Sequence, residues 1–206
     1  MKKALEALDR LRAGNHRFVS DAFGVTAVTS QSRRQEVAMV QEPFAVILGC
    51  SDSRVPAELV FDQGLGDLFV IRVAGNIVAP SGIGSVEFAV ELFGTRLVVV
   101  MGHTKCGAIQ ATIDELQLAR EARSRNLRSI VDRVRPAIEP LMATDLRHQP
   151  EALMREAGRA NIRMATSQLR HGSEILEYLI DHDSLLVVGA EYSLETGVVD
   201  FFDLPV

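Results

Sequence analysis

Two residues of this 206-residue chain carry thiols, Cys50 and Cys106. A lone pair of cysteines reads first as a disulfide or as two buried thiols. Their neighbours point elsewhere. Cys106 closes the run His103-Thr104-Lys105-Cys106, and Cys50 opens the run Cys50-Ser51-Asp52-Ser53-Arg54. If a helix starts at His103, one turn puts His103 and Cys106 on the same side. Two thiolates and an imidazole form a donor set suited to zinc. No fourth cysteine completes a closed structural site, and three protein donors with one open position is the catalytic pattern. The sequence therefore offers Cys50, His103 and Cys106 as ligands of one Zn2+ per chain.

Asp52 and Arg54 add a choice at the fourth position. A carboxylate bound to zinc closes the site; a carboxylate paired with Arg54 leaves the position to water. Water on zinc can lose its proton near pH ~7, against 15.7 in bulk. Asp52, kept ionised by Arg54, could accept a hydrogen bond from the resulting hydroxide and aim its lone pair. Taken alone, Asp52 and Arg54 read as an ordinary structural ion pair. Beside a metal donor they become a candidate catalytic dyad, with Asp52 also a candidate fourth ligand.

These residues need a scaffold that brings distant segments together. Four short apolar runs, Phe44–Gly49, Leu68–Val73, Leu97–Gly102 and Leu185–Gly189, have the near-continuous hydrophobicity of strands buried on both faces. Cys50 follows the first and His103 the third. In an open parallel sheet, ligands bind beyond the carboxyl ends of strands. A fifth run, Val198–Phe202, follows the fourth so closely that antiparallel pairing is expected. Helical periodicity fills the gaps. Leu5, Leu8 and Leu11 form one stripe. Ser85 is a candidate cap for a helix bearing Val86, Ala89, Val90 and Phe93. Ile109, Thr112, Ile113 and Leu116 follow the third strand. Leu127, Ile130, Val131 and Val134 form a stripe closed by Pro136, and Ser173 is a candidate cap for Ile175, Leu176, Leu179 and Ile180. The expected fold is α/β: four parallel strands plus a C-terminal antiparallel edge strand, flanked by helices. Residues 1–206 read as one domain, with an N-terminal helical arm over 1–42 and an α/β core over 43–206. The core carries a charged helical excursion over about 120–170.

Cys50-Ser51-Asp52-Ser53-Arg54 followed by His103-Thr104-Lys105-Cys106-Gly107 resembles the β-class carbonic anhydrases. So do the segments Ala7–Phe18, Val55–Glu58, Gly66–Asn76 and Gly84–Val90. The resemblance implies zinc on Cys50, His103 and Cys106, with Asp52 and Arg54 as the dyad. It implies reversible hydration of carbon dioxide to bicarbonate and a proton through zinc-bound hydroxide. It also implies a homodimer or higher even homo-oligomer in which N-terminal helices pack on a partner copy. Some bacterial members carry a Trp three residues before the first cysteine, as part of an inhibitory bicarbonate site; Ile47 stands there. Arg72 of the same region is present. Plant-like members use a Gln before the second strand; Gln63 lies one position off in an ungapped reading and is given no catalytic role.

Composition sets outer bounds. A net charge of −5 argues against a nucleic-acid partner. No apolar run reaches the roughly 18–20 residues of a membrane span, and charges fill the N-terminal stretch where a signal peptide needs apolar residues. The expectation is a cytoplasmic protein, unless a targeting segment was removed before residue 1. Gly75–Gly84 lacks the Lys-Ser/Thr end of a phosphate loop and reads as a turn. His16, His148, His171 and His182 have no partner motif. Two other functions remain open on the same residues: a zinc hydrolase of carbonyl sulfide or carbon disulfide, and a non-catalytic structural or redox zinc protein.

Overall fold

The computed structural model describes residues 1–22, 30–118 and 124–204. The start of the expected excursion, 120–123, lies outside them, as does 23–29 of the expected arm. Five strands form one sheet: β1 (Ala45–Gly49), β2 (Leu68–Arg72), β3 (Leu97–His103), β4 (Leu186–Tyr192) and β5 (Val199–Asp203). Their order is β2-β1-β3-β4-β5. The first four are parallel, and β5 pairs antiparallel with β4. From β1 the chain moves to β2 on one side and then to β3 on the other, so the carboxyl ends of β1 and β3 flank the point where strand order reverses.

The continuous apolar runs arise because β1 and β3 are covered on both faces. Ile47, Val99 and Met101 face one layer, with Leu8 and Leu11 of α1 (Lys2–Val19) and Phe61 beyond α3 (Ala57–Val60). Val46, Leu48, Val98 and Val100 face the other, against Val86 and Val90 of α4 (Pro80–Leu92), Ile162 and Leu169 of α7 (Pro150–His171) and Leu176 of α8 (Glu174–His182). Adjacent strand residues point to opposite faces, as a pleat requires. A third apolar cluster caps the carboxyl ends of the strands. It joins Cys50 and Cys106 to Ile109 and Ile113 of α5 (Gly107–Leu118), Val134 and Ile138 of α6 (Arg125–Met142), and Leu153 and Ala157 of α7. A short helix, α2 (Gln31–Val37), precedes β1.

Several local expectations change. Leu5 is exposed, and the buried side of α1 is Ala4, Ala7, Leu8 and Leu11. That side covers the chain's own sheet. Asn15 anchors it: its amide donates to the Val60 and Gly197 carbonyls, and its Oδ1 accepts from the Val199 N–H. Ser85 does not cap a helix. Pro80 sits in the first turn of α4, where a missing N–H costs nothing, and the Ser85 hydroxyl donates back to Ser81 inside the helix. Pro136 does not close its stripe either; α6 runs on to Met142 because Ile138 is fully buried beyond it. Ser173 does cap α8, accepting from the Leu176 N–H. Phe88 and Leu92 of α4 are exposed beside Phe69 and Phe93, an apolar patch that the sequence reading does not anticipate. No helix among the described residues is long and apolar enough to cross a membrane.

Candidate metal centre and active site

The turn after β1 carries Cys50, β3 ends on His103, and Cys106 immediately precedes α5. The Cys50 Sγ, a His103 ring nitrogen and the Cys106 Sγ lie within 4.8 Å of one another. The two sulfurs are 3.9 Å apart. No helical turn links His103 to Cys106. Lys105 instead adopts a left-handed φ of 55°, reversing the chain so that both side chains point into one space. The Cys106 carbonyl then accepts from the Gln110 N–H, starting α5.

All three donors are buried. His103 Nδ1 lies 2.9 Å from the Thr104 carbonyl oxygen. A carbonyl only accepts, so Nδ1 carries the proton and Nε2 keeps its lone pair for a ligand. Nε2 is buried without a hydrogen-bond partner among the described residues. A buried nitrogen of this kind is costly unless something binds it. The contact with Cys106 pulls the Cys50 thiol down, against its burial, and the same contact together with burial pushes Cys106 up. A thiolate, a second sulfur and an imidazole lone pair pointing into one space fit zinc.

Asp52 sits beside this cluster and faces Arg54. Its carboxylate accepts from the Arg54 backbone N–H at 3.0 Å, from Nε at 2.9 Å and from Nη2 at 2.8 Å. Those hydrogen bonds hold Asp52 well below the usual carboxylate range, against the effect of burial. Asp52 Oδ2 remains 3.8 Å from His103 Nε2. Arg72, at the end of β2, fixes the turn from below, donating to the Cys50 carbonyl at 2.9 Å and the Asp52 carbonyl at 2.5 Å. The His103–Cys106 turn is held from the other side. The Thr104 hydroxyl and the Lys105 ammonium both bind Glu195, and the Leu194 N–H donates to Thr104 Oγ1.

The structure thus gathers Cys50, Asp52, Arg54, His103 and Cys106 as one constellation. Gln63 is elsewhere: its buried amide donates to the Phe61 carbonyl, under Gly14 of α1. Ile47 is fully buried within β1. His171 and His182 are exposed, the first beside Glu177 and the second stacked on Tyr178. Sequence reasoning missed Asn161 and Gly75. The Gly75 N–H donates to Cys50 Sγ at 3.4 Å, and the Asn161 amide donates to the Gly75 carbonyl at 2.8 Å. A polar residue next to Ile162 on the buried side of a helix was the available signal.

Residues 45–199 match the family model described as Carbonic anhydrase. The chain belongs to the β-class carbonic anhydrase family. It is accordingly an enzyme of the carbonic anhydrase kind. A carbonic anhydrase of Mycolicibacterium smegmatis is 39% identical over 192 residues, covering 92% of this chain and 89% of the relative. Carbonic anhydrase 2 of Mycobacterium tuberculosis is 37% identical over 191 residues, covering 91% and 87%. The solved β-carbonic anhydrase CcaA superposes with a TM-score of 0.71 at 25% identity, over 97% of this chain and 92% of that one.

Proposed function

We propose that this chain catalyses the reversible hydration of carbon dioxide to bicarbonate and a proton, using one zinc ion per chain held by Cys50, His103 and Cys106. The observation that carries the reading is the convergence of these three donors within 4.8 Å, with Asp52 turned onto Arg54 beside them. Zinc held there would supply Lewis acidity, lowering the pKa of a bound water toward neutrality so that it can act as a nucleophile.

The chain's own residues do the rest. Asp52 accepts a hydrogen bond from the attacking water and keeps a lone pair of that water directed at the carbon of the substrate. Arg54 holds Asp52 ionised and turned away from the metal donors, which keeps a position open for water. Arg72 fixes the carbonyls of Cys50 and Asp52, so the two side chains keep their relative placement. Ile77 and Ile109 belong to the same buried apolar cluster as both cysteines, which gives the centre apolar surroundings suited to a substrate without charge. An even homo-oligomer is part of the same reading, supported by the exposed Phe88 and Leu92; sedimentation as a monomer would remove it.

The test is stopped-flow carbon dioxide hydration across pH 6.5 to 9 on protein of determined zinc content. Zinc near one per chain with rapid hydration is expected. Zinc with turnover of carbonyl sulfide and negligible hydration would move the substrate to the sulfur compounds. Zinc with neither activity would make the metal structural.

A further inference from the structure

Gly75 and Asn76 form a turn that is unfavourable on its own. Both residues have left-handed φ, 72° and 43°. Left-handed backbone is disfavoured for a residue with a side chain, although Asn tolerates it better than most, so the surroundings must hold this turn in place. At Gly75 a side chain would be crowded, since a Cβ would stand 3.0 Å from the Ala108 Cβ and the left-handed φ of 72° disfavours one. Hydrogen bonds restrain the turn besides its fit. The Asn76 N–H donates to the Val73 carbonyl, and the Gly75 carbonyl accepts from Asn161. Asn161 comes from α7, far along the chain, and is 1% exposed. It is wedged between Ala157, which packs in the cysteine cluster, and Ile162, which packs on the sheet. Gly75 is thus gripped through its carbonyl on one side of its Cα, while its N–H on the other side meets Cys50 Sγ.

From this geometry we infer that Asn161 is a positioning residue for the metal centre: by holding the Gly75 carbonyl, it keeps the Gly75 N–H aimed at the Cys50 sulfur. The hydrogen bond orients the sulfur and withdraws charge from it. The Asn161 amide binds the Gly75 carbonyl and not one of the three donors. The inference rests on Cys50 being a metal ligand, and the experiment separates the two.

The protein is loaded with 113Cd in place of zinc, and scalar coupling between the metal and the Gly75 amide proton is measured by NMR. Coupling through Cys50 Sγ is expected. Asn161→Leu, similar in size and without a donor, should lose that coupling. Its zinc affinity in chelator competition should fall by about 10–100-fold, the usual cost of losing an outer partner of a ligand. Thr166→Val is the control. Thr166 is buried on the same helix, with its hydroxyl donating to Ile162; this variant should lower Tm and leave coupling and zinc affinity unchanged. If Asn161→Leu does not fold, Asn161→Asp, which keeps the shape and loses the amide donor, takes its place. Retained coupling and affinity in the Asn161 variant, or an equal loss of affinity in Thr166→Val, would overturn the inference. Metal uptake by the parent protein without Gly75 coupling would overturn it alone. Failure of the parent to take up zinc or cadmium would overturn the metal-centre reading and this inference with it.

Discussion

Replacing Gly14 with alanine sets two physical effects against each other. Gly14 lies inside α1, where alanine is the better helix former by about 1 kcal/mol. On propensity alone, Gly14→Ala stabilises. The surroundings say the opposite. A Cβ at Gly14 would stand 1.8 Å from the Phe61 carbonyl oxygen and 2.7 Å from its carbon. Backbone cannot swing aside like a side-chain tip, so the helix has to retreat by about 1.5 Å to reach an ordinary van der Waals separation. The next residue, Asn15, holds hydrogen bonds of 3.1, 2.8 and 2.9 Å to Val60, Gly197 and Val199, and a shift of that size breaks them. At about 1 kcal/mol for each lost bond plus about 1–3 kcal/mol of overpacking, less the propensity gain, the net loss is about 3–5 kcal/mol. For a chain of this size each kcal/mol moves Tm by about 2–4 °C, so a fall of about 6–20 °C is expected. Thermal unfolding followed by circular dichroism measures it. The difference from the parent should not change on dilution, because the contact lies within one chain. An unchanged or raised Tm would show that α1 does not dock on Phe61 as described; a difference that grows on dilution would put the helix on a partner copy.

Three further outcomes are expected. Cys106→Ala should lose zinc and hydration activity together, measured by metal analysis and stopped-flow, and stoichiometric zinc in that variant would mean that Cys106 is not a ligand. Asp52→Asn should keep its zinc and lose turnover by about 10²–10⁴-fold, the usual contribution of a positioned acid–base group; near-parental rates would take Asp52 out of the mechanism. Glu191→Gln should raise Tm at pH 7. Burial on β4 raises the Glu191 pKa despite Arg159 at 3.5 Å. The folded state therefore holds this proton more tightly than the unfolded chain, and stability from it is lost as pH rises through the folded pKa. The gain from Gln should appear as a rise in Tm in thermal unfolding at pH 7. It should vanish below the unfolded carboxylate pKa of about 4.3, and a gain independent of pH would refute the explanation.

The centre was legible because its donors sit at the ends of strands whose burial on both faces writes itself into the sequence as unbroken Val, Ile and Leu. Cys50 after β1 and His103 at the end of β3 follow from that pattern once a parallel sheet is assumed. The dyad was legible because Asp52 and Arg54 share one turn and need no long-range contact to meet. The short reversal at Lys105 was not, since a left-handed lysine has no local signature, and a helical turn would have brought His103 and Cys106 together equally well. Pro136 misled for a related reason. Proline usually ends a helix, but Ile138 beyond it gains enough burial to carry α6 onward.

The glycines near the ends of the apolar runs carry a subtler lesson. Gly102 and Gly189 read as the punctuation that ends a strand, yet β3 continues to His103 and β4 to Tyr192. Their use is on the face of the sheet. A Cβ on Gly102 would stand 2.6 Å from Ile162 Cδ1, and one on Gly189 would stand 2.9 Å from Ile162 Cγ2 and 3.2 Å from Thr166 Oγ1. The two glycines lie on neighbouring strands, since Val100 pairs with Gly189 and Gly102 with Glu191. They open a shallow groove that lets α7 settle onto the sheet. Ile162 occupies that groove, and Asn161 is its immediate neighbour in the chain. The depth at which Ile162 settles thus sets how far the Asn161 amide extends toward Gly75 and, through Gly75, toward the Cys50 sulfur. A missing side chain in the strand that delivers His103 therefore also decides where the helix supporting Cys50 can lie, and the two halves of the centre are positioned by one packing contact.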